Sequence, residues 1–141
     1  MEKKPIKSYK DLDVYQNSYK GMLDVIKKII PKLPESEKYD LKDQLSRSCK
    51  AVPRLIAEGY AKKHQKAGFQ KYLDDAMAES NETNVGLSQC NDLYLTNKED
   101  LKLCEELIDL YDKIGRQLYK LRQVWCDFSR ISQDESRYGH R

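Results

Sequence analysis

The sequence predicts an all-α protein, an antiparallel four-helix bundle in up-down-up-down order. Apolar residues recur at intervals of three and four through four segments of the 141-residue chain, which is the spacing of one helix face. Only 6 glycines and 4 prolines are present, too few for the many turns of an all-β fold. Short polar connections between the segments favour helices that run back and forth beside each other.

The composition indicates one domain with a densely charged exterior. A chain of 141 residues is long enough for one core but not for two. Charged residues make up 35% of the chain and the mean hydropathy is −0.85. No stretch reaches the roughly 18–20 apolar residues that cross a bilayer. The first residues also lack the apolar segment of a secretory signal, so we expect a cytoplasmic protein without membrane contact.

The first predicted helix follows an extended basic lead-in over residues 1–10. Asp11 or Asp13 is expected to cap its start. Pro31 and Pro34 are expected to end it, because proline donates no backbone hydrogen bond and restricts the residue before it. The residues predicted to face the core are Tyr15, Tyr19, Met22, Leu23, Ile26, Ile29, Ile30 and Leu33.

The second predicted helix, within Leu41–Lys63, carries the most constraints. Pro53 lies inside its apolar stripe, and the stripe continues in phase beyond it. We therefore predict a kink at Pro53 rather than a break. Gly59 would allow another backbone to come close. The stripe consists of Leu41, Leu45, Ser48, Cys49, Val52, Leu55, Ile56 and Gly59.

A third helix is predicted over residues 67–94, and its middle is polar. Ser80, Asn81, Thr83 and Asn84 occupy or border the seam. Such residues form a buried hydrogen-bond network, a wet groove or an interface with another chain, and the packed network is the plainest interpretation. The apolar residues expected to face inward are Phe69, Tyr72, Leu73, Ala76, Met77, Leu87, Cys90 and Tyr94.

The fourth helix has the most regular periodicity. Before it, Thr96-Asn97-Lys98-Glu99 matches a capping box, in which the hydroxyl of Thr96 and the carboxylate of Glu99 serve backbone donors. The seam fits left-handed antiparallel packing, and a coiled coil is the alternative. The bundle is predicted over residues 11–128, with a frayed polar tail over residues 129–141. The seam residues are Cys104, Leu107, Tyr111, Ile114, Leu118, Leu121, Trp125 and Phe128.

The net charge of +3 is unevenly distributed along the chain. Residues 43–66 hold six basic and two acidic residues, and residues 110–130 hold five basic and two acidic residues. Between these zones, residues 74–109 hold ten acidic and two basic residues. A molecule with zones of opposite sign can bind a polyanion or bind copies of itself, and composition does not choose between them.

The candidate nucleic-acid-binding surface lies on the second helix and the turn after it. Three of its cations follow the spacing i, i+3, i+7, which places them on one helical face that can follow a row of phosphates. The alternatives are a solvated face with local pairs such as Arg54 with Glu58, or a contact with the acidic third helix of another subunit. The residues of this surface are Arg47, Lys50, Arg54, Lys62, Lys63 and Lys66.

Neither a catalytic constellation nor a metal motif is evident in the sequence. Glu58 would need a second carboxylate, a histidine or a metal beside it for acid–base work. The cysteines, Cys49, Cys90, Cys104 and Cys126, form no CxxC pair and are expected to be buried small hydrophobes in a reducing cytosol. We therefore predict a protein that is not an enzyme and has no metal, no cofactor and no small-molecule substrate.

Four tyrosines beside the apolar stripes are candidate subunit-interface residues. Tyrosine suits such positions because one edge of its ring is apolar and the other is polar. These residues are Tyr60, Tyr72, Tyr94 and Tyr119.

The second helix resembles the four-helix-bundle proteins linked to 23S rRNA intervening sequences, the S23 family. The most specific match is Ile56-Ala57-Glu58-Gly59, supported by the run from residue 37 to Pro53 and by Asp11-Leu12-Asp13-Val14-Tyr15-Gln16. The resemblance covers about residues 8–125. Lys50 stands where the family commonly has an apolar residue, and Arg54 also departs from the usual pattern. Both changes make the second helix more cationic.

This resemblance implies an antiparallel bundle that assembles as a ring-like homo-oligomer, most often a pentamer. The fold is shared with the accessory variability determinant protein of diversity-generating retroelements, which binds nucleic acid and its reverse transcriptase. The expected partners are therefore further copies of the chain, RNA or DNA, and a reverse transcriptase. The predicted function is a non-enzymatic scaffold that binds structured RNA or DNA. The alternative is a protein-interaction ring without direct nucleic-acid binding.

Overall fold

In the computed structural model, the backbone is described for residues 5–139 and the side chains for residues 5–125. No strand occurs in this part of the chain, and the predicted all-α fold is confirmed. Short helical turns lie at residues 9–11, 25–32 and 35–37. The four main helices are α1 (Asp13–Asp24), α2 (Leu41–Ala61), α3 (Lys66–Leu93) and α4 (Lys98–Gly139).

Helices that follow each other in sequence are neighbours in space, and α1 closes the bundle against α4. Between α2 and α3, Ser48 meets Thr83 and Gly59 meets Tyr72, so residue numbers rise on one helix as they fall on the other. The same reversed order holds between α3 and α4 and between α1 and α4. In the described chain no Cα atom of α1 lies within 8 Å of a Cα atom of α3. The predicted up-down-up-down order is confirmed.

The inward stripe of α2 is confirmed residue by residue. Every predicted position is buried except Leu55, which is half-buried. The helix runs through Pro53 without interruption, and Pro53 itself is buried. The kink at Pro53 stays a prediction.

The face that α1 turns to the core differs from the predicted one. Ser18 and Gly21 are buried, whereas Tyr19 and Leu23 are 44% and 36% exposed. A Cβ atom at Gly21 would lie 3.0 Å from the hydroxyl oxygen of Tyr111 on α4. The large ring of Tyr111 needs small residues opposite it, so α1 presents its small residues inward and carries part of its apolar stripe on the outside.

The start of α1 also differs from the prediction. Asp11 does not cap α1 but closes the preceding turn, where its carboxylate accepts hydrogen bonds from the backbone N–H groups of Lys7 and Ser8. Leu12 occupies the N-cap position of α1 and provides no side-chain hydrogen bond.

The cap of α4 lies one residue later than predicted. The side-chain oxygen of Asn97 accepts the backbone N–H of Asp100 at 2.8 Å, and the Asn97 amide donates to the Asp100 carboxylate at 2.8 Å. The predicted cap by Thr96 and Glu99 is therefore wrong, because Asn97 serves the same N-terminal donors one position further on.

The polar seam of α3 forms a packed network at its centre. The Thr83 hydroxyl lies 2.8 Å from the Ser48 hydroxyl on α2, and the Ser80 hydroxyl donates to the Tyr111 carbonyl on α4 at 3.2 Å. Ser48, Ser80 and Thr83 are buried. Each hydroxyl therefore joins α3 to a neighbouring helix, as the network interpretation requires.

Candidate nucleic-acid interface

Arg47, Lys50 and Arg54 lie together on the outer face of α2, and all three are exposed. The face exists because the positions between them carry the buried stripe. Seven residues separate Arg47 from Arg54, a rise of about 10 Å along the helix axis. The structure therefore aligns these three cations as their spacing predicts.

Arg47 is the member of this row that is partly neutralised. Its guanidinium lies 3.7 Å from the carboxylate of Asp43 one turn earlier. It also lies near Glu79 of α3. Burial and then the charge of Glu82 raise the pKa of the Glu79 carboxyl, whereas the charge of Arg47 lowers it. The positive charge of Arg47 is thus partly offset by acidic residues of its own chain.

Lys50 and Arg54 are not paired in this way. Within the described residues, neither takes part in an ion pair. Glu58, one turn beyond Arg54, is exposed. The alternative of a local Arg54–Glu58 pair is therefore not observed, and both cations present their charge to solvent.

The turn between α2 and α3 continues the cationic surface. Lys62 and Lys66 are exposed, and the ammonium of Lys63 lies 4.1 Å from the centre of the Tyr60 ring. The backbone carbonyl of Lys63 accepts the indole N–H of Trp125 at 3.1 Å. The turn is thus attached to α4, which fixes where its lysines lie.

Trp125 is the supporting residue that sequence reasoning placed only in the core. Its ring packs 5.1 Å from the Phe69 ring and 6.3 Å from the Tyr60 ring, measured between ring centres. The sequence contains a signal for this role, because the indole N–H of an inward-facing tryptophan needs a hydrogen-bond acceptor. The identity of that acceptor depends on the fold, since Lys63 is distant in sequence.

The four candidate interface tyrosines differ in exposure. Tyr60 is 9% exposed and packs within the bundle, whereas Tyr119 is 56% exposed. Tyr72 and Tyr94 are half-buried. Tyr119 therefore has the most ring surface available to a partner, and the interface itself stays a prediction.

Burial disfavours ionisation of the described cysteine thiols. Burial raises the pKa of the Cys49 and Cys90 thiols to about 12 and that of Cys104 to about 11, so all three are protonated at neutral pH. They are buried, as predicted. The side chains of Cys126 and Phe128 and the predicted frayed tail, residues 129–141, lie outside the side-chain description.

Two further features of the described part of the chain are the spacing of its potential metal ligands and the apolar length of its helices. There, His, Cys, Asp and Glu side chains do not gather in a group of three or more that could hold a metal ion. None of the helices described has a long enough apolar stretch to cross a bilayer.

These features define a class of protein, an antiparallel four-helix bundle with a cationic outer face on its second helix. The family model described as 23S rRNA-intervening sequence protein matches residues 10–120. The chain belongs to this family, which confirms the resemblance seen in the sequence. A comparison with curated proteins finds no match.

Proposed function

We propose that the protein is a non-enzymatic, homo-oligomeric scaffold that binds structured RNA or DNA through α2 and the turn after it. The observation that carries this proposal is the pair Lys50 and Arg54, which are exposed on one face and unpaired among the described residues. Cations in this state bind phosphates without first breaking an intramolecular pair, and they release counterions from the nucleic acid when they do so.

The length of the cationic surface suits a nucleic-acid backbone. From Lys50 to Lys62 the helical rise is about 18 Å, and Lys66 extends the surface past the end of α2. Phosphates along one strand of a duplex advance about 3.4 Å per nucleotide, so several of them fit this length. Because Trp125 holds the turn, Lys62 and Lys66 keep a fixed position relative to the row on α2.

The difference in charge between the two halves of the chain would orient the complex. Residues 5–66 hold 14 basic and 8 acidic residues, whereas residues 67–125 hold 7 basic and 11 acidic residues. A polyanion is attracted to the first half and repelled by the second. We therefore expect α2 and the α2–α3 turn, rather than the outer face of α3, to contact the nucleic acid.

An electrophoretic mobility shift at low salt with a structured RNA tests this proposal. We expect the wild type to form a complex and Lys50→Glu plus Arg54→Glu to abolish it. The matched control is Lys102→Glu plus Lys113→Glu, which makes the same change in net charge at exposed positions of α4. If the wild type forms no complex with RNA or DNA, or if both double variants weaken it equally, the proposal is wrong.

The same separation of charge favours a second candidate function, a protein-interaction ring. In such a ring the basic face of α2 would meet the acidic zone of the next copy, or the assembly would serve a reverse transcriptase. Light scattering at two salt concentrations, with and without nucleic acid, distinguishes the two functions. An oligomer of unchanged mass that binds no polyanion would favour the ring.

A further inference from the structure

Three tyrosine rings form a ladder beside the outer face of α1. The Tyr9 and Tyr15 ring centres are 4.9 Å apart, and the Tyr15 and Tyr19 ring centres are 5.9 Å apart. Tyr19 is 44% exposed, and Leu23 one turn later is 36% exposed. Burial and then the neighbouring phenols raise the pKa of Tyr15, in line with this close spacing. Tyr9 and Tyr15 are half-buried against the core, so Tyr19 and Leu23 form the exposed apolar part of this row that is available to a partner.

The ladder lies on the side of α1 that faces away from α4. Asn17 donates to Gln117 at 3.0 Å, and the position of Gly21 is covered by Tyr111, so these two residues face α4. Successive residues are rotated by about 100° around a helix, which places Tyr19 about 160° from Gly21. Tyr19 therefore lies toward α2 and solvent.

Two contacts of α2 show that Lys50 lies on the side facing away from α3. Ser48 meets Thr83 at 2.8 Å, and a Cβ atom at Gly59 would lie 2.9 Å from the Cβ of Tyr72. Lys50 is two residues beyond Ser48 and hence about 160° around the helix from it. It therefore lies on the outer, solvent-exposed side of α2, away from α3.

The heights of the two helices follow from a shared neighbour. Gly21 of α1 and Ser80 of α3 both contact Tyr111, so they lie at about the same level in the bundle. Ser48 of α2 lies opposite Thr83 of α3. Ala51, three residues later on α2, therefore lies opposite Ser80, three residues earlier on α3. Gly21 is therefore level with Ala51.

This register places the tyrosine ladder beside the unpaired cations of α2. Because α1 and α2 are antiparallel, two residues back from Gly21 on α1 corresponds to two residues forward from Ala51 on α2. Tyr19 is therefore level with Pro53. Pro53 lies between Lys50 and Arg54 in the sequence. The ladder of α1 and the two unpaired cations on the outer face of α2 are therefore at the same level of the bundle, on the two helices that line one outer groove.

We propose that this groove binds unpaired nucleotides, of which a base stacks on the exposed ring of Tyr19 while the phosphates contact Lys50 and Arg54. This inference rests on the proposed function and adds the class of ligand, a single-stranded or looped segment rather than a continuous duplex. Bases inside a duplex already stack on each other, whereas unpaired bases offer their faces to aromatic side chains.

The flanking charges favour nucleic acid over a second copy of the chain as the occupant. The centre of a protein–protein interface is depleted in charged residues, because each would have to lose its water. Here Lys50 and Arg54 flank the rings, and neither is paired within the described residues. Alternating stacking surfaces and cations are instead typical of single-strand binding.

A fluorescence anisotropy titration tests the proposal with a labelled oligothymidine of about 20 nucleotides and a duplex of equal phosphate number. We expect the wild type to bind the single strand more tightly. Tyr19→Ala should weaken single-strand binding about tenfold and leave duplex binding unchanged, because only unpaired bases stack on the ring. Tyr19→Phe keeps the ring and should bind as the wild type does.

The outcomes separate this inference from the function on which it rests. Lys50→Glu plus Arg54→Glu should weaken binding of both probes. If that variant loses binding while Tyr19→Ala binds the single strand like the wild type, the stacking proposal is wrong and the proposed function stands. If the wild type binds neither probe, the stacking proposal is wrong, and the mobility shift with a structured RNA decides the proposed function separately. If Tyr19→Ala changes the mass of the oligomer in light scattering but not single-strand binding, a second copy occupies the groove and the stacking proposal is wrong.

Discussion

The inner and outer faces of α2 differ in how closely they are surrounded. On the inner face, Ser48 hydrogen-bonds with Thr83 and Gly59 leaves no room for a side chain against Tyr72. On the outer face, Lys50 and Arg54 are exposed and unpaired within the described chain. One helix thus carries the contacts that stabilise the bundle on one side and the proposed binding residues on the other. Substitutions on the two faces should therefore have separable effects.

The largest effect on stability is expected for Gly59→Val. The new Cβ would lie 2.9 Å from the Cβ of Tyr72, an atom held close to its backbone. The two helices must move apart, and overpacking of this kind costs about 3 kcal/mol. Urea denaturation followed by circular dichroism measures the loss.

Gly115→Ala is the matched control for this substitution. A Cβ at Gly115 meets no heavy atom within 4 Å, so the helix gains from the removal of a glycine by about 0.5–1 kcal/mol. If Gly59→Val unfolds at the same urea concentration as the wild type, the close approach of α2 and α3 does not exist in solution.

A smaller loss is expected for Thr83→Val at the centre of the seam. This change keeps the volume of the side chain but removes the hydroxyl that joins α3 to Ser48, at a cost of about 1–2 kcal/mol. Ser48→Ala combined with Thr83→Val should cost less than the sum of the single changes, because both partners are then removed. Strictly additive free energies of unfolding would show that the two hydroxyls do not interact.

These inner contacts show what the sequence predicts well and what it does not. The stripe of α2 is evident from apolar spacing because most of its positions carry large apolar side chains. On α1 the same apolar spacing predicts that Tyr19 and Leu23 face the core, whereas the buried positions include small residues such as Ser18 and Gly21. The burial of Gly21 depends on Tyr111, which lies distant in the sequence.

The candidate nucleic-acid interface can likewise be predicted only in part from the sequence. Helical spacing correctly places Arg47, Lys50 and Arg54 on one exposed face. Spacing does not reveal that Asp43 pairs with Arg47 or that Trp125 holds the turn at Lys63, because both contacts depend on side-chain conformations and on the packing of α4.

The smallest effect is expected for Glu79→Gln, on α3 near Arg47 of the outer face of α2. Burial and then Glu82 raise the pKa of Glu79 in the folded state, so its ionised form is disfavoured by folding. Glu79→Gln should therefore raise the free energy of unfolding at pH 7. The gain should disappear as the pH falls below the ordinary value near 4.5, where Glu79 is protonated in both states. Denaturation midpoints at pH 7 and at about pH 4 check this, and a gain that persists in acid would contradict it.

The outer face is tested most directly by the salt dependence of nucleic-acid binding. The affinity of the wild type for a structured RNA is compared with that of Lys50→Gln plus Arg54→Gln over a range of salt concentrations. If each cation contacts one phosphate, the slope of log K against log salt should decrease in magnitude by about 2, with stability unchanged to within about 0.5 kcal/mol. An unchanged slope would contradict the assignment of this face to nucleic acid.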